Sequence, residues 1–250
     1  MSTRPPRVGV VIPAHNEAGH IRASVTSVLA ALDRLADVGP PPEGSAVVVV
    51  ADGCRDDTAE IAREALGGRG VVIEIDVRCV GTARALGALA AIERLDAPPD
   101  QVWLANTDAD SIVPAEWLER QLDLAAAGVE CVAGIVGLAD APGHLREAFG
   151  STYAAGVAPD RHHHVHGANL GIRGDLYRRL GGWSDLRTGE DHDLWDRVGR
   201  AGAVRRTDAG LVVLTSARTL GRAPHGFARD LRVLVLDLTA APVVALPGMT

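Results

Sequence analysis

Lysine is absent from the 250-residue sequence, so its 25 basic side chains are all arginines. The protein therefore cannot use a P-loop lysine, a lysine Schiff base or a lysine general base. A bias of this kind is also typical of a GC-rich bacterial genome. The formal net charge is −7, which does not favour binding to nucleic acid or to an anionic membrane surface. A negatively charged substrate would need arginines or a metal ion at its site.

Cysteine is scarce, with single residues at positions 54, 79 and 131 and no CxxC pair. This odd number predicts reduced thiols in a cytoplasmic protein and not a disulfide framework. Long apolar runs are also missing. The N-terminal run is too short for a signal peptide. The apolar stretch at 231–247 contains Asp237 and two prolines, so it falls short of the ~20 apolar residues that a membrane-spanning helix needs.

Apolar runs alternate with helical patterns through the first half of the chain. Strands are predicted at 7–13, 45–51, 70–77 and 101–106, and helices at 18–36, 56–66, 82–95 and 114–128. This order indicates an α/β fold with a Rossmann-like, mostly parallel central sheet flanked by helices. After about residue 137 the alternation weakens, and we expect the second half to pack on the same sheet within one domain.

Three of the predicted strands end in polar or acidic segments. These segments are PAHNE at 13–17, DGCRDD at 52–57 and NTDAD at 106–110. Ligands of parallel α/β sheets bind outside the carboxyl ends of the strands. The sequence therefore predicts a ligand site at this edge of the sheet.

Asp108 and Asp110 follow the fourth predicted strand with one residue between them. Two neighbouring carboxylates are costly to bury without a partner. Mg²⁺ or Mn²⁺ takes such oxygen ligands and completes its shell with substrate phosphates, whereas zinc favours histidine and cysteine. The alternative is that one of these aspartates caps the helix predicted from residue 114.

The ordered set of PAHNE, DGCRDD, GTARALG, DAD, HGANLGIR, GGW and GED resembles the family-two glycosyltransferases, which are inverting enzymes with a GT-A fold. The resemblance extends from about residue 7 to about residue 230. It implies a single domain at 1–250, with a nucleotide-sugar half at 1–112, an acceptor and catalytic half at 113–230 and a tail at 231–250. The family's frequent QxxRW element is missing, which favours a soluble enzyme that makes single transfers; peripheral membrane contact stays open.

On the donor side, the resemblance assigns the nucleotide's base and ribose to Pro13, Ala14, Asn16, Glu17 and Asp52. Cys54 stands where the family most often has serine. Arg84 matches an arginine near the donor, and a guanidinium suits a diphosphate; the alternative is a solvated helix face. Asp110 is the expected metal ligand, and Asp108 is expected to reach the metal or the ribose. His225 is expected to complete the metal shell, and Arg218 or Arg222 to touch phosphate.

On the acceptor side, the resemblance implies a pocket lined by His166, Gly167, Ala168 and Asn169, with Trp183 stacking on a sugar face. Asp191, paired with Glu190, matches the family's general base, which must lie within hydrogen-bond reach of the acceptor hydroxyl. The alternative is that both acids only complement the dipole of a helix start. The His-rich segment at 161–166 is expected to be a polar loop over the acceptor, with zinc binding as its alternative.

The implied reaction is a single displacement with inversion, from a nucleotide-diphosphate sugar to an unknown acceptor hydroxyl. UDP is the favoured nucleotide, with GDP and dTDP open. A diphosphate leaving group needs no protein acid, unlike that of a glycoside hydrolase. The alternatives are a sugar nucleotidyltransferase, whose glycine-rich signature and lysine are missing, and a catalytically silent nucleotide-sugar-binding protein. A dehydrogenase is excluded by the lack of GxGxxG after the first strand.

Overall fold

A computed structural model of the chain describes residues 7–38, 44–154, 157–158, 161–218 and 231. Its strands are β1 Arg7–Ala14, β2 Ser45–Asp52, β3 Gly70–Ile75, β4 Val102–Asn106, β5 Ser111–Ile112, β6 Cys131–Ala139, β7 Val157–Ala158, β8 Arg161–His162, β9 Leu170–Arg173 and β10 Arg205–Ser216. Its α-helices are α1 Ile21–Val38, α2 Thr58–Leu66, α3 Val80–Leu95, α4 Trp117–Ala126, α5 Gly143–Ala154, α6 Gly174–Arg179 and α7 Glu190–Arg200. Short 3-10 turns occupy Pro99–Gln101 and Gly167–Asn169.

Eight strands form one sheet in the order β3-β2-β1-β4-β9-β6-β10-β5. Strand β1 pairs in parallel with β2 and β4, β2 with β3, and β6 with β10. Strand β9 runs antiparallel between β4 and β6, and β5 runs antiparallel to β10. The prediction of a mostly parallel, Rossmann-like sheet is therefore confirmed, and strands from both halves of the chain share it.

Helices cover both faces of this sheet. Helices α1, α2 and α4 pack on the face that includes Val8, Val10 and Ile12 of β1, whereas α3, α6 and α7 pack on the face that includes Val11. Successive side chains of a strand point to opposite faces, so a strand buried on both sides needs a continuous apolar run. No helix among the described ranges is long and apolar enough to cross a membrane.

Several boundaries differ from the sequence prediction for local physical reasons. Strand β4 begins one residue late because Pro99–Gln101 form a 3-10 turn. Helix α4 begins at Trp117, after a turn in which Trp117 N donates to Pro114 O. Strand β3 ends at Ile75, because the backbone N–H groups of Val77 and Arg78 turn toward Asp52.

Candidate active site

The three segments predicted to share one sheet edge lie together in the structure. Segment 13–17 contacts 52–57 where Asn16 Oδ1 accepts from Arg55 N, and Arg218 contacts both Glu17 and Asp110. Helix α7, which begins with Glu190, adds a further acid. Two arginines connect these carboxylates across the edge, Arg84 from α3 and Arg218 from the end of β10. The site is therefore built from side chains that are far apart in the sequence.

Arg84 joins the acidic pair after β4 to the acidic pair that opens α7. Its Nη2 donates to Asp108 Oδ1 at 2.5 Å, and its Nε donates to Glu190 Oε1 at 3.2 Å. The Arg84 side chain is only 2% exposed, and its Cζ lies 5.3 Å from the ring centroid of Trp183. Arg84 is therefore not the solvated helix residue of the alternative, and its expected contact with a donor diphosphate stays a prediction.

Asp110 is the most perturbed carboxylate of the edge. Burial and the charge of nearby Asp108 raise the pKa of Asp110 to about 6, against the opposing effect of Arg218. The Arg218 Nη2 atom lies 2.8 Å from Asp110 Oδ2. The Asp108 side chain is more open, at 36% exposure. Within the described residues, neither aspartate forms a side-chain hydrogen bond to the start of α4, and both face cationic partners instead.

Residues Glu190 and Asp191 stand at the start of α7 and face two different groups. Burial raises the pKa of Glu190, whereas Arg84 lowers it. Asp191 Oδ2 accepts a hydrogen bond from Gly167 N at 2.9 Å, and Asp191 Oδ1 accepts one from His192 N at 2.8 Å. The backbone therefore orients the Asp191 carboxylate, and this leaves further lone pairs for another donor.

Gly167 is required by this arrangement. A Cβ at position 167 would lie 2.4 Å from Arg84 Nη2, closer than any side chain can approach. Gly167 also donates its N–H to Asp191, the predicted base. It therefore packs against Arg84 on one side and orients Asp191 on the other. Ala168 is buried beside it.

Asn169 lies inside the protein and not at the surface of the site. Its Nδ2 donates to Ile135 O and Leu211 O, both at 2.8 Å, and its Oδ1 accepts from Trp117 Nε1 at 3.0 Å. The residue is fully buried. It ties the 3-10 turn to β6, β10 and α4, and the structure does not bring its side chain to the predicted acceptor pocket.

Of the two aromatic rings predicted for the acceptor pocket, His166 contacts Tyr153 and Trp183 contacts Arg84. His166 Nε2 lies 2.7 Å from Tyr153 Oη, and burial lowers the pKa of His166 to about 4, so the ring is neutral at pH 7. Tyr153 also stacks on His164 with ring centroids 3.7 Å apart. Trp183 is 5% exposed and lies against Arg84, and its expected stacking on a sugar stays a prediction.

The β1 end forms a compact turn with the segment after β2. Asn16 adopts a left-handed φ of 54°, a conformation that asparagine tolerates better than most residues. Its Oδ1 accepts a hydrogen bond from Arg55 N at 2.7 Å, and its N–H approaches Cys54 Sγ at 3.4 Å. Pro13 and Ala14 are buried as the last residues of β1. The nucleotide contacts expected of Pro13, Ala14 and Asn16 stay predictions.

Asp52, the last residue of β2, holds the loop between β3 and α3. Its Oδ1 accepts from Val77 N and Arg78 N, and its Oδ2 accepts from Cys79 N, all at 2.7 Å. Asp52 is 4% exposed. It therefore fixes the start of the helix that carries Arg84, and the expected contact with a nucleotide base stays a prediction.

Substituting Asp52→Asn is expected to destabilise the protein by about 2 kcal/mol, because the new amide N–H faces a backbone N–H that now has no acceptor. Urea denaturation measures the loss. Asp76→Asn is the matched control, since the Asp76 side chain is 71% exposed and its loss should change stability by less than about 0.5 kcal/mol. Equal stability of the two variants would show that other contacts hold the loop.

The oxygen ligands available at this sheet edge fit a hard divalent cation. Asp108 and Asp110 supply carboxylate oxygens, and the guanidinium of Arg218 already places a positive charge against Asp110. Two carboxylates suffice for Mg²⁺ when phosphates complete its shell. In the described part of the chain, no group of three or more His, Cys, Asp or Glu side chains is arranged to hold a metal. The described residues of the 161–166 segment therefore show no zinc site of that kind. His225 and Arg222 lie outside the described residues.

Sequence reasoning missed several contacts of the site. Nothing in the local sequence of Tyr153 marks it as a partner of His166. The pairing of Arg218 with Glu17 was also missed, since 201 residues separate the two positions. The signal available was the cluster of basic residues after β10, which pointed to phosphate and not to carboxylates of this chain.

Comparison with known proteins decides the family. Residues 9–181 match the family described as glycosyl transferase family 2. The chain belongs to that family. A curated family relative, the dolichyl-phosphate hexose transferase of Haloferax volcanii, is 36% identical over 127 residues, which are 51% of this chain and 46% of the relative. The chain thus matches about half the length of this relative. The bacterial source and the cytoplasmic location stay predictions.

Solved structures show the same fold. A mannosyltransferase from Pyrobaculum calidifontis in complex with GDP-Man and Mn²⁺ superposes with a TM-score of 0.59 at 20% identity, covering 93% of this chain and 61% of that one. Glucosyl-3-phosphoglycerate synthase from Mycobacterium tuberculosis in complex with Mg²⁺ and UDP gives 0.56 at 17% identity, covering 95% and 80%. The predicted GT-A fold of this family-two protein is confirmed.

Proposed function

We propose that this protein is an inverting glycosyltransferase that moves a sugar from a nucleotide-diphosphate donor, with UDP-sugars favoured, to an acceptor hydroxyl, in a reaction that needs Mg²⁺ or Mn²⁺. The observation that carries the proposal is the bridge from Asp108 through Arg84 to Glu190. This bridge places the candidate metal-binding pair beside the helix start that carries the candidate base. Family membership supports glycosyl transfer, and two similar structures hold Mn²⁺ with GDP-Man or Mg²⁺ with UDP.

Asp191 is the proposed general base. The hydrogen bond from Gly167 N fixes its Oδ2 at 2.9 Å, so the carboxylate is oriented before the acceptor arrives. Asp191 takes the proton of the acceptor hydroxyl as that oxygen attacks the anomeric carbon and the bond to the diphosphate breaks. One displacement inverts the anomeric configuration. His166, Gly167 and Ala168 are proposed to face the acceptor, with Asn169 holding their turn in place.

The donor is proposed to bind at the ends of β1, β2 and β4. Asp110 and Asp108 would hold the metal ion together with diphosphate oxygens. When bound, such an ion neutralises the charge of the leaving diphosphate. Pro13, Ala14, Asn16, Glu17 and Asp52 are proposed to surround the base and ribose. The donor half at 1–112 and the acceptor half at 113–230 then meet at this site within one domain.

A lipid phosphate is a second acceptor class to be tested. The Haloferax volcanii relative is named a dolichyl-phosphate hexose transferase, and its matched segment covers half of this chain. A polyprenyl phosphate would receive the sugar on a phosphate oxygen, which is already deprotonated at neutral pH. Transfer to it would therefore not require Asp191 as a base, and this separates the two acceptor classes.

Nucleotide sugars with Mn²⁺ are expected to raise the melting temperature of the protein. A ligand at 100 times its dissociation constant stabilises by about 2.7 kcal/mol, which corresponds to about 5–10 °C for a chain of this size. Thermal-shift measurements with UDP-, GDP- and dTDP-sugars, each with Mn²⁺ or with EDTA, identify the nucleotide. The shift should be lost in EDTA.

Transfer and hydrolysis assays on the stabilising donor complete this test. Turnover with any acceptor, or slow hydrolysis of the donor, supports an enzyme. Binding without turnover across hydroxyl and polyprenyl-phosphate acceptors would favour the catalytically silent protein. Release of pyrophosphate from a sugar 1-phosphate and a nucleoside triphosphate would instead identify a nucleotidyltransferase.

A further inference from the structure

Arg218 lies between two carboxylates that the sequence assigned to different ligands. Its Nη1 is 2.6 Å from Glu17 Oε1, and its Nη2 is 2.8 Å from Asp110 Oδ2. Glu17 was predicted to contact the nucleotide, and Asp110 was predicted to bind the metal. One guanidinium therefore occupies the space between both predicted ligand sites.

Both carboxylates need a cation at this place. The Glu17 side chain is 4% exposed and that of Asp110 is 11% exposed, and a buried carboxylate without a partner is strongly unfavourable. Asp108 adds a third negative charge nearby, and Arg84 is its partner. Arg218 supplies a positive charge to the remaining two acids, and His20 Nδ1 also lies 3.3 Å from Glu17 Oε2.

The backbone places Arg218 at this point of the site. Ser216, the last residue of β10, donates its N–H to Asp110 O at 3.1 Å. Thr215 Oγ1 also lies within 3.4 Å of Asp110 Oδ1. The end of β10 is thus fixed against the acidic loop, and a residue two positions further is held within reach of Asp110.

We propose that Arg218 is an internal counter-cation of the acidic site, and that a divalent ion must displace it from Asp110 in order to bind. The inference rests on the proposed function, because it takes Asp110 as a metal ligand. A guanidinium 2.8 Å from Asp110 Oδ2 and a divalent ion on the same carboxylate repel one another. Metal binding and the contact of Arg218 with Asp110 therefore compete, and the displaced guanidinium becomes available to the donor phosphates.

Competition of this kind lowers the apparent metal affinity by the fraction of molecules whose site is free of Arg218. If Arg218 occupies the site in nine molecules of ten, removal of its charge strengthens Mn²⁺ binding about tenfold. The same removal takes one positive charge away from Glu17 and Asp110 when no metal is present. Affinity for metal should rise while stability without metal falls.

The test measures Mn²⁺ binding and melting of Arg218→Met in the absence of nucleotide. Electron paramagnetic resonance of free Mn²⁺ gives the dissociation constant, and melting is recorded in EDTA and in Mn²⁺. We expect about tenfold tighter Mn²⁺ binding, a lower melting temperature in EDTA and a larger rise with Mn²⁺ than in the wild type. Arg22→Met is the matched control, because the ion pair of Arg22 with Glu64 is exposed on both sides, and it should match the wild type in both measurements.

If Arg218→Met does not fold in EDTA, Arg218→Lys provides the second variant. A lysine keeps the charge but cannot fork between two carboxylates, so its Mn²⁺ affinity should lie between those of the wild type and the methionine variant. Unchanged or weaker Mn²⁺ binding in Arg218→Met or Arg218→Lys would overturn the inference, while metal-dependent transfer by the wild type would still stand. If wild-type protein binds no Mn²⁺ and transfers sugar in EDTA, the metal requirement of the proposed function fails and the inference fails with it.

Discussion

Replacement of Asp191 by asparagine is expected to lower kcat for transfer to a hydroxyl acceptor by about 10²–10⁴-fold, the usual contribution of a general base. Asparagine keeps the size of the side chain, and its Oδ1 can still accept the hydrogen bond of Gly167 N. Its amide nitrogen then faces His192 N, whose hydrogen bond to Asp191 is exposed. The variant therefore keeps the contact with Gly167 and loses that exposed contact together with the group that takes a proton. Donor and Mn²⁺ affinities, measured by thermal shift, should be unchanged.

Asp196→Asn is the matched control for this experiment, because Asp196 is an exposed aspartate on the same helix, α7. Its transfer rate should equal that of the wild type. A similar rate for Asp191→Asn would contradict the assignment of Asp191 as base. A normal rate with polyprenyl phosphate alongside a large loss with hydroxyl acceptors would instead identify the lipid phosphate as an acceptor that needs no base.

The first half of the fold could be predicted because its information is local. Strands β1 to β4 are near-continuous apolar runs, and each is followed along the chain by a helix with its own apolar period, so each strand–helix unit is recognisable within about 30 residues. The polar ends of three strands then placed the site at one edge. The resemblance to the family-two glycosyltransferases, and with it the GT-A fold, needed the further motifs GTARALG, HGANLGIR, GGW and GED.

The second half could not be predicted in the same way. Strand β9 has only four residues, and the register of β10 on β6 shifts between Asp208 and Val212. Short or irregular strands carry no clear period. Asn169 shows the consequence for the site: its sequence context suggested a pocket residue, whereas its three hydrogen bonds to Ile135, Leu211 and Trp117 make it part of the core.

Arg84 is a second residue whose partners could not be predicted from its sequence context. The helical pattern placed it correctly on α3, but 106 residues separate it from Glu190. Only the tertiary fold, which brings the first residue of α7 to the Arg84 side chain, joins the two. The sequence could therefore indicate the charge of this residue and not its partners.

Replacement of Arg84 by methionine is expected to destabilise the protein by about 3–5 kcal/mol, because it leaves a buried carboxylate without its counter-charge. Glu190 is 5% exposed, so water cannot replace the guanidinium. The free energy of unfolding in urea measures the loss. Arg94→Met, an exposed position on the same helix, should change stability by less than about 0.5 kcal/mol.

The dependence of this loss on pH follows from the charge of Glu190. Burial raises its pKa and Arg84 opposes that rise, so removal of Arg84 raises the pKa further. A carboxyl whose pKa is higher in the folded than in the unfolded state binds its proton more tightly when folded, and stability then increases as pH falls. The deficit of Arg84→Met should therefore be largest at neutral pH and shrink toward acid pH.

A double variant distinguishes this positioning role from direct binding of the donor. Glu190→Gln removes the charge that Arg84→Met leaves behind, so the double variant should be more stable than Arg84→Met alone, and the two changes should not be additive. If Arg84 acted only as a ligand of the diphosphate, Arg84→Met would weaken donor binding without lowering stability, and Glu190→Gln would restore nothing. If Arg84→Met were as stable as Arg94→Met, the result would favour Arg84 as a ligand of the donor diphosphate and not as a positioning residue. A partial rescue by Glu190→Gln would show that Arg84 stabilises the site by pairing with the buried charge of Glu190.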